Sequence, residues 1–208
     1  MATLPSGVTA ATLQITDALA GVAERLAQST VQVRDTRRGH YGPSGAGSGV
    51  IWRADGLVVT NAHVVRDARR VVVELTDGRE LDAEVARLDP RRDLAALRLD
   101  ALHLPAARVG DPVSLRAGQL VFALGHPWGV RNSLAAGVVH AASHRDGHWV
   151  RADVRLAPGN SGGPLADAWG RVVGVNSMIV RGLAYAVPAD AVERFVAGVD
   201  RRRAAAAA

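Results

Sequence analysis

The chain has 208 residues, of which 48% are hydrophobic, and a formal net charge of +5. This length and composition allow one domain with a sizeable core, or two packed halves that share a site, and argue against wholesale disorder. The chain has no Cys and no apolar run near the roughly 18 residues of a membrane span, which excludes a disulfide framework and predicts no spanning helix.

The basic residues do not indicate a nucleic-acid partner. All 25 are arginine, and they are scattered along the chain instead of forming one basic stripe. No recognition motif for DNA or RNA accompanies them. We therefore predict no nucleic-acid binding.

The first predicted element is a helix from about Thr9 to Gln28. Its apolar residues fall on one face at spacings of four, three and four, at Ile15, Leu19, Val22 and Leu26. This pattern predicts a helix packed on the body of the domain, with an oligomer contact as the alternative. The preceding residues lack the features of a secretory signal. The default expectation is thus a cytoplasmic protein, with a periplasmic or secreted one as the alternative if a signal was removed.

Short strands separated by tight turns are predicted from Thr30 onward. Asp-Gly pairs, which suit the positive φ angles of hairpin turns, lie at 55–56, 77–78 and 146–147. Residues 80–85 alternate polar and apolar, as a half-buried strand does. The less apolar stretch 100–118 divides the strands into two sets of about six. This arrangement predicts an all-β architecture of two packed barrels.

A second helix is predicted after Pro188, with Asp190 in its first turn. Its apolar residues share one face and are Val192, Phe195, Val196 and Val199. The predicted organisation is an N-terminal helical segment, 1–29, and a two-barrel domain, 30–188, divided at about 107/108. A C-terminal helix and tail, 189–208, complete it.

The segment Gly159–Gly163 has the composition of a nucleophile turn. A serine hydroxyl needs a base to remove its proton, and it needs N–H groups aimed at the developing oxyanion. Glycine neighbours allow close backbone approach. The N–H groups of Gly159 and Ser161 are the candidates for this oxyanion hole. For the segment alone, an inert glycine-rich turn is the alternative.

The segment also matches the Gly-x-Ser-x-Gly elbow of α/β-hydrolases. In that fold the catalytic His follows the Ser in the chain. All seven His residues, from His40 to His148, precede Ser161. The sequence therefore excludes this fold.

The base must lie upstream of Ser161. His63 follows an apolar strand directly, and Asp93 opens the apolar run 94–99. Taken alone, each of these two residues is more readily interpreted as structural than as catalytic. Together with Ser161 they predict a triad in which Asp93 orients and stabilises the His63 imidazole. Asp89 and Asp100 remain local competitors for the acid.

The order His63, Asp93, Ser161 is that of the trypsin-like enzymes, and the chain resembles their HtrA/Deg group from about Thr30 to Pro188. The segments that carry the resemblance are 47–51 with 55–65, 93–99, 125–129, 153–165, 174–177 and 182–188. The resemblance implies a chymotrypsin/trypsin-like double six-stranded β-barrel with an N-terminal and a C-terminal helix. It also implies peptide-bond hydrolysis through an acyl-enzyme, without metal or other cofactor.

The resemblance further implies an unfolded or extended polypeptide substrate, which pairs with a strand of the second barrel. The substrate-binding residues expected from it are Gly174, Val175, Asn176, Ser177, Met178 and Arg155. It implies a homo-oligomer, a trimer in this family, and a role in protein quality control or regulated proteolysis. A latent or chaperone-like peptide-binding protein of the same fold is the alternative, and an esterase is a third one.

Three departures from the family pattern qualify these expectations. Only about 20 residues follow Pro188, so the resemblance extends to the protease domain and not to the PDZ domain that commonly follows it. Asn160, which is usual in the HtrA/Deg group, stands where digestive trypsins have an Asp that pairs with a freed N-terminus, so activation by that charge pair is not expected. Arg155 replaces a small residue near the base of the specificity pocket. We expect an aliphatic preference first and an acidic one second, unless Arg155 points elsewhere and pairs with a local carboxylate.

Three histidines at intervals of four, His140, His144 and His148, suggest a metal site at first sight. The turn predicted at 146–147 argues against the helix that such a site would need. We therefore predict no metal.

Overall fold

Two closed β-barrels of six antiparallel strands each form the body of the protein, which confirms the predicted double-barrel fold. The structure is a computed structural model that describes residues 10–35, 46–66, 68–141 and 149–206. The strands of the first barrel are β1 Thr30–Arg34, β2 Ala46–Arg53, β3 Leu57–Thr60, β4 Arg70–Glu74, β5 Glu80–Asp89 and β6 Leu94–Leu99. They follow the order β1-β2-β3-β6-β5-β4, and β1 pairs with β4 to close the barrel.

The second barrel repeats this architecture. Its strands are β7 Leu120–Gly125, β8 Ser133–Ala141, β9 Val150–Asp153, β10 Pro164–Asp167, β11 Val172–Val180 and β12 Leu183–Pro188. They follow the order β10-β11-β12-β9-β8-β7, and β10 pairs with β7. Two 3₁₀ turns, Pro112–Ser114 and Pro127–Gly129, lie before and after β7.

The predicted Asp-Gly turns lie where hairpins connect strands of the first barrel. Gly56 has a φ of 91° and Gly78 a φ of 87°, values that favour glycine. At Gly56 a Cβ would also lie 2.4 Å from the Leu99 carbonyl oxygen. The turn predicted at 146–147 lies outside the described residues.

Within the described residues, three apolar clusters form the core. One fills the first barrel and includes Val33, Val73 and Leu97. A second fills the other barrel and includes Leu165. The third joins both barrels and includes Phe122. Because this third cluster spans the junction, it keeps the facing ends of the two barrels at a defined distance, where the candidate site lies.

Besides the single turn α2 (Ala62–Val65), the helices are the terminal α1 (Ala10–Ser29) and α3 (Ala189–Ala206), which pack on the third cluster. The predicted apolar face of α3 is buried along its whole predicted length, from Val192 to Val199. Val22 and Leu26 of α1 are buried too, but Ile15 is 62% exposed. The prediction that Ile15 packs on the body was therefore wrong, since the first half of α1 extends past the barrels. None of the helices in the described ranges is long and apolar enough to cross a membrane.

Candidate active site

His63 lies in α2 (Ala62–Val65), a single turn that directly follows β3. Antiparallel pairing of β3 with β6 places Thr60 opposite Ala95. The residues after β3 therefore meet the residues before β6, although they are about 30 positions apart in the chain. Two hydrogen bonds fix this junction. The buried Asn61 amide donates to the Asp93 carbonyl at 2.9 Å, and the His63 backbone N–H donates to Asp93 Oδ1 at 3.1 Å.

The His63 ring contacts the Asp93 carboxylate through Nδ1. The distances are 3.0 Å to Oδ1 and 2.9 Å to Oδ2. Because a carboxylate only accepts hydrogen bonds, Nδ1 carries the proton and Nε2 has a free lone pair when the ring is neutral. This tautomer leaves His63 able to accept a proton at Nε2.

Asp93 is partly buried, and three groups donate to its carboxylate. Burial by itself raises the pKa of Asp93, but hydrogen bonds from the His63 ring, the Ser177 hydroxyl and the His63 backbone N–H outweigh it. The pKa of Asp93 consequently lies below its ordinary value of 3.8. The carboxylate is therefore charged at neutral pH and can stabilise a protonated His63.

The two competing acids occupy other positions. The Asp89 carboxylate accepts from the backbone N–H groups of Arg91 and Arg92 and pairs with the Arg92 guanidinium at 2.8 Å. Asp100 is exposed after the end of β6. Among the described residues, His63 has a carboxylate contact with Asp93 alone.

Ser161 lies in the turn before β10 and reaches the His63–Asp93 pair through Ser177. Its hydroxyl is 3.4 Å from the Ser177 carbonyl oxygen, while the Ser177 hydroxyl donates to Asp93 Oδ2. Within the described ranges, no hydrogen bond joins Ser161 Oγ to the His63 ring. Such bonds are often long without substrate and shorten when it binds. The structure thus places the three residues together, with the serine hydroxyl turned toward Ser177.

The turn before Ser161 carries the two N–H groups predicted as oxyanion donors. The Asn160 N–H donates to the Ala157 carbonyl at 3.0 Å, and Gly159 has a φ of 107°, which together define a type II turn with Pro158 at its first central position. The Trp128 N–H donates to the Pro158 carbonyl at 3.2 Å. Because the carbonyl and N–H of one peptide point in opposite directions, the Gly159 N–H faces away from Trp128.

Neither the Gly159 N–H nor the Ser161 N–H has a partner among the residues that the structure describes. Two unengaged backbone N–H groups beside a serine hydroxyl are the arrangement that an oxyanion requires.

The predicted substrate-binding residues of β11 divide into two groups. Gly174, Val175 and Asn176 are buried and paired on both sides, with β12 on one side and with β10 or the Ser161 turn on the other. Their main chain is therefore not free to pair with a substrate strand, and their role in substrate binding stays a prediction. The pairing with β10 ends at Val175, which leaves Ser177 and the exposed Met178 at the edge of the site.

Arg155 is exposed, six positions before Ser161. It pairs with no carboxylate among the described residues, so the alternative in which it forms a local ion pair finds no support there.

Ser177 has a second contact that sequence reasoning missed, its hydrogen bond to Asp93. No local signal could have shown it, because the two residues are 84 positions apart.

The described residues hold no group of His, Cys, Asp and Glu suited to a metal ion. His144 and His148 of the histidine triplet lie outside those residues.

His126, at the end of β7, is a buried neutral histidine beside the site. It is 5% exposed, and its Nδ1 accepts from the Asn132 N–H at 3.4 Å. Burial lowers the pKa of His126 to about 4. The imidazole is therefore uncharged in the folded protein over the ordinary pH range.

We expect His126 to reduce stability in acid. The unfolded chain binds a proton here below about pH 6.5, whereas the folded chain binds it only near pH 4. The contribution of the neutral imidazole to the free energy of unfolding is therefore complete above pH 6.5. About 3 kcal/mol of it is lost as the pH falls toward 4. Urea unfolding at pH 7 and pH 4.5 should show a smaller loss in His126→Asn than in the parent. His103→Asn, at an exposed position, should retain the parental loss, and equal losses in all three proteins would contradict the expectation.

Comparison with known proteins identifies relatives of this chain. The family profile described as a trypsin-like peptidase domain matches residues 47–175. A probable periplasmic serine endoprotease DegP-like from Halomonas elongata is 43% identical over 155 residues, which cover 69% of this chain and 33% of that protein. Serine protease HTR4 from Rattus norvegicus is 34% identical over 200 residues, 89% of this chain and 41% of that protein.

Among solved structures, an HtrA-type protease AlgW with tripeptide superposes with a TM-score of 0.79 and 31% identity. The match covers 86% of this chain and 62% of that one. The chain spans about a third of the length of the curated DegP-like relatives it matches.

Proposed function

Because the chain belongs to the family of trypsin-like peptidase domains, we propose that it is a serine endopeptidase of the HtrA/Deg type that cuts peptide bonds through an acyl-enzyme. One observation carries the proposal. The His63–Asp93 pair lies beside Ser161, and the turn that holds Ser161 presents two unengaged N–H groups.

In the proposed mechanism, Ser161 Oγ attacks the carbonyl carbon of the substrate while His63 Nε2 takes the hydroxyl proton. The N–H groups of Gly159 and Ser161 bind the resulting oxyanion. His63 then gives its proton to the departing amine, and the peptide C–N bond breaks. A water molecule attacks the acyl-enzyme with His63 again as the base, which releases the acid and restores Ser161. Asp93 holds the imidazole and stabilises its cation throughout.

The proposed substrate is an unfolded or extended polypeptide. The relative AlgW was solved with a tripeptide, and here the edge of β11 is unpaired with β10 beyond Val175. An extended segment can add to such an edge through main-chain hydrogen bonds. Ser177 and Met178 are the residues of β11 that it would meet first.

We retain two hypotheses for the side chain that precedes the cut bond. An aliphatic preference comes first, as in the family. An acidic preference comes second, and the exposed Arg155 supports it because a guanidinium pairs well with a carboxylate. A peptide library distinguishes them, and comparison with Arg155→Ala shows whether Arg155 is responsible. A profile dominated by Lys or Arg would contradict both hypotheses.

The names of the relatives bear on location. Several are described as periplasmic, which supports the periplasmic alternative and gives no support to the cytoplasmic default. We propose that the chain acts there in protein quality control or regulated proteolysis, as a homo-oligomer. Size-exclusion chromatography with light scattering tests the assembly.

Labelling with a fluorophosphonate probe tests the proposed activity. We expect the probe to modify Ser161, identified by peptide mass spectrometry, and we expect the protein to cleave casein. An unlabelled protein that binds casein without cutting it would favour the chaperone-like alternative. Turnover of esters without turnover of peptides would favour the esterase.

We expect Gly159→Ala to lower kcat/KM by about 10²- to 10³-fold, because it disturbs one oxyanion donor. The new Cβ would lie 2.5 Å from the His126 carbonyl oxygen, in a backbone with a φ of 107°. Gly78→Ala is the matched control, since Gly78 has a φ of 87° and open space around it. Peptide hydrolysis by both variants measures the difference. Parental kcat/KM in Gly159→Ala would contradict the role of Gly159.

A further inference from the structure

A fully buried serine of the first barrel, Ser48, contacts the candidate oxyanion turn of the second. Ser48 lies near the start of β2, before the pairing of β2 with β3, which begins at Val50 and Val59. Its backbone N–H and C=O are therefore free to bind groups outside the sheet at that edge.

All polar atoms of Ser48 are engaged. Its hydroxyl donates to the Gly159 carbonyl at 2.7 Å and accepts from the His126 N–H at 3.0 Å. Its backbone N–H donates to the Ser161 carbonyl at 2.8 Å, and its own carbonyl accepts from the Thr60 hydroxyl at 2.7 Å. Two of these four bonds reach the segment that carries both candidate oxyanion donors.

The direction of the Ser48 hydroxyl proton is determined by its neighbours. A hydroxyl has one proton to donate, and the His126 N–H occupies a lone pair of the oxygen. The proton must therefore point to the Gly159 carbonyl. This bond fixes the plane of the peptide that joins Gly159 to Asn160.

The space around Ser48 admits little movement. A Cβ at Gly162 would lie 2.1 Å from the Ser48 carbonyl oxygen, and one at Gly125 would lie 2.9 Å from Ser48 Oγ. A Cβ at Gly163 would lie 3.1 Å from Ser48 Cβ. Three glycines thus allow the serine to sit directly against the turn.

The N–H of Gly159 keeps its direction only if the type II turn keeps its shape. A change from type II to type I rotates the peptide between Pro158 and Gly159 and turns that N–H to the other side. The bond from Trp128 holds this peptide at 3.2 Å, and the bond from Ser48 holds the next one at 2.7 Å. The Ser48 bond is the shorter of the two, and both of its partners are buried.

We propose that Ser48 is a positioning residue, whose hydroxyl holds the turn that carries the Gly159 and Ser161 N–H groups through its bond to the Gly159 carbonyl. The proposal rests on the proposed peptidase function. Ser48 touches neither the substrate nor the reacting atoms. Its removal should therefore affect turnover more than substrate binding.

The test compares Ser48→Ala, Ser48→Cys and Ser29→Ala with the parent. Ser29→Ala is the matched control, because Ser29 is also buried but donates only to the Leu26 carbonyl in α1, at 3.4 Å. We expect Ser48→Ala to lower kcat roughly 10- to 100-fold, less than or similar to the loss of a direct donor, with KM within about threefold of the parent. The kcat of Ser48→Cys, which retains a weak donor, should lie between the values of Ser48→Ala and the parent. Ser29→Ala should keep the parental kcat.

A thermal melt and the fluorophosphonate labelling rate accompany the kinetics. A merely structural Ser48 would lower the melting temperature while the folded fraction kept its kcat, and that result would overturn the proposal. If Ser48→Ala does not fold, Ser48→Cys decides by the same kcat criterion. A parent protein that cuts no peptide would instead contradict the proposed function.

Discussion

Replacing Ser161 by Ala is expected to lower kcat for peptide hydrolysis by about 10⁶-fold, the loss typical of a serine peptidase without its nucleophile. Ala cannot form the acyl-enzyme, so the remaining rate comes from the oxyanion donors and substrate binding. Because the Ser161 hydroxyl makes a single long hydrogen bond with the residues that the structure describes, at 3.4 Å, its loss should change the free energy of unfolding by less than about 1 kcal/mol.

Active-site titration and peptide turnover measure this effect, with urea unfolding to verify the fold. Ser114→Ala is a suitable control, since the Ser114 hydroxyl is exposed and donates locally to Asp111 at 2.7 Å. A folded Ser161→Ala protein that retained more than about a hundredth of the parental kcat would show that another group attacks the substrate.

The second large effect concerns Asp93. We expect Asp93→Asn to lower kcat by about 10⁴-fold near neutral pH, because an amide cannot hold His63 in the tautomer that leaves Nε2 free, nor stabilise its cation. The Asn amide would also offer a donor where the His63 ring, the His63 backbone N–H and Ser177 already donate. Asp93 has a φ of 55°, a conformation that Asn tolerates as Asp does. Backbone strain therefore should not account for the loss.

Asp89→Asn is the matched control, since Asp89 lies four positions away and its carboxylate binds Arg91 and Arg92. We expect this variant to keep kcat within about threefold of the parent. Kinetics across pH 6 to 9 compare the two substitutions. Equal losses in both would indicate a general disturbance of the turn, and a larger loss in Asp89→Asn would transfer the role of the acid to Asp89.

The sequence predicted the double barrel and the residues of the candidate triad from signals that lie within short segments of the chain. Asp-Gly pairs and apolar runs are local signals, and they depend on φ angles and burial over a few residues. The choice of His63 and Asp93 rested on chain order and on their places at the ends of apolar strands. The pairing of β3 with β6 then brings these two ends together. Ile15 shows the limit of such signals, because helical periodicity continued past the point where α1 leaves the body.

By itself, the sequence determined the two sets of strands, the terminal helices and the candidates Ser161 and His63, because each depends on residues of one contiguous segment. For the acid it left Asp93, Asp89 and Asp100. Only the tertiary structure decided that Gly174, Val175 and Asn176 are paired on both sides, that Ser177 donates to Asp93, and that Ser48 reaches the turn before Ser161. The bond from Ser48 to Gly159 joins residues 111 positions apart. Contacts of this kind depend on how two closed barrels pack against each other, and hydrophobic periodicity records which residues are buried but not which polar partners they meet.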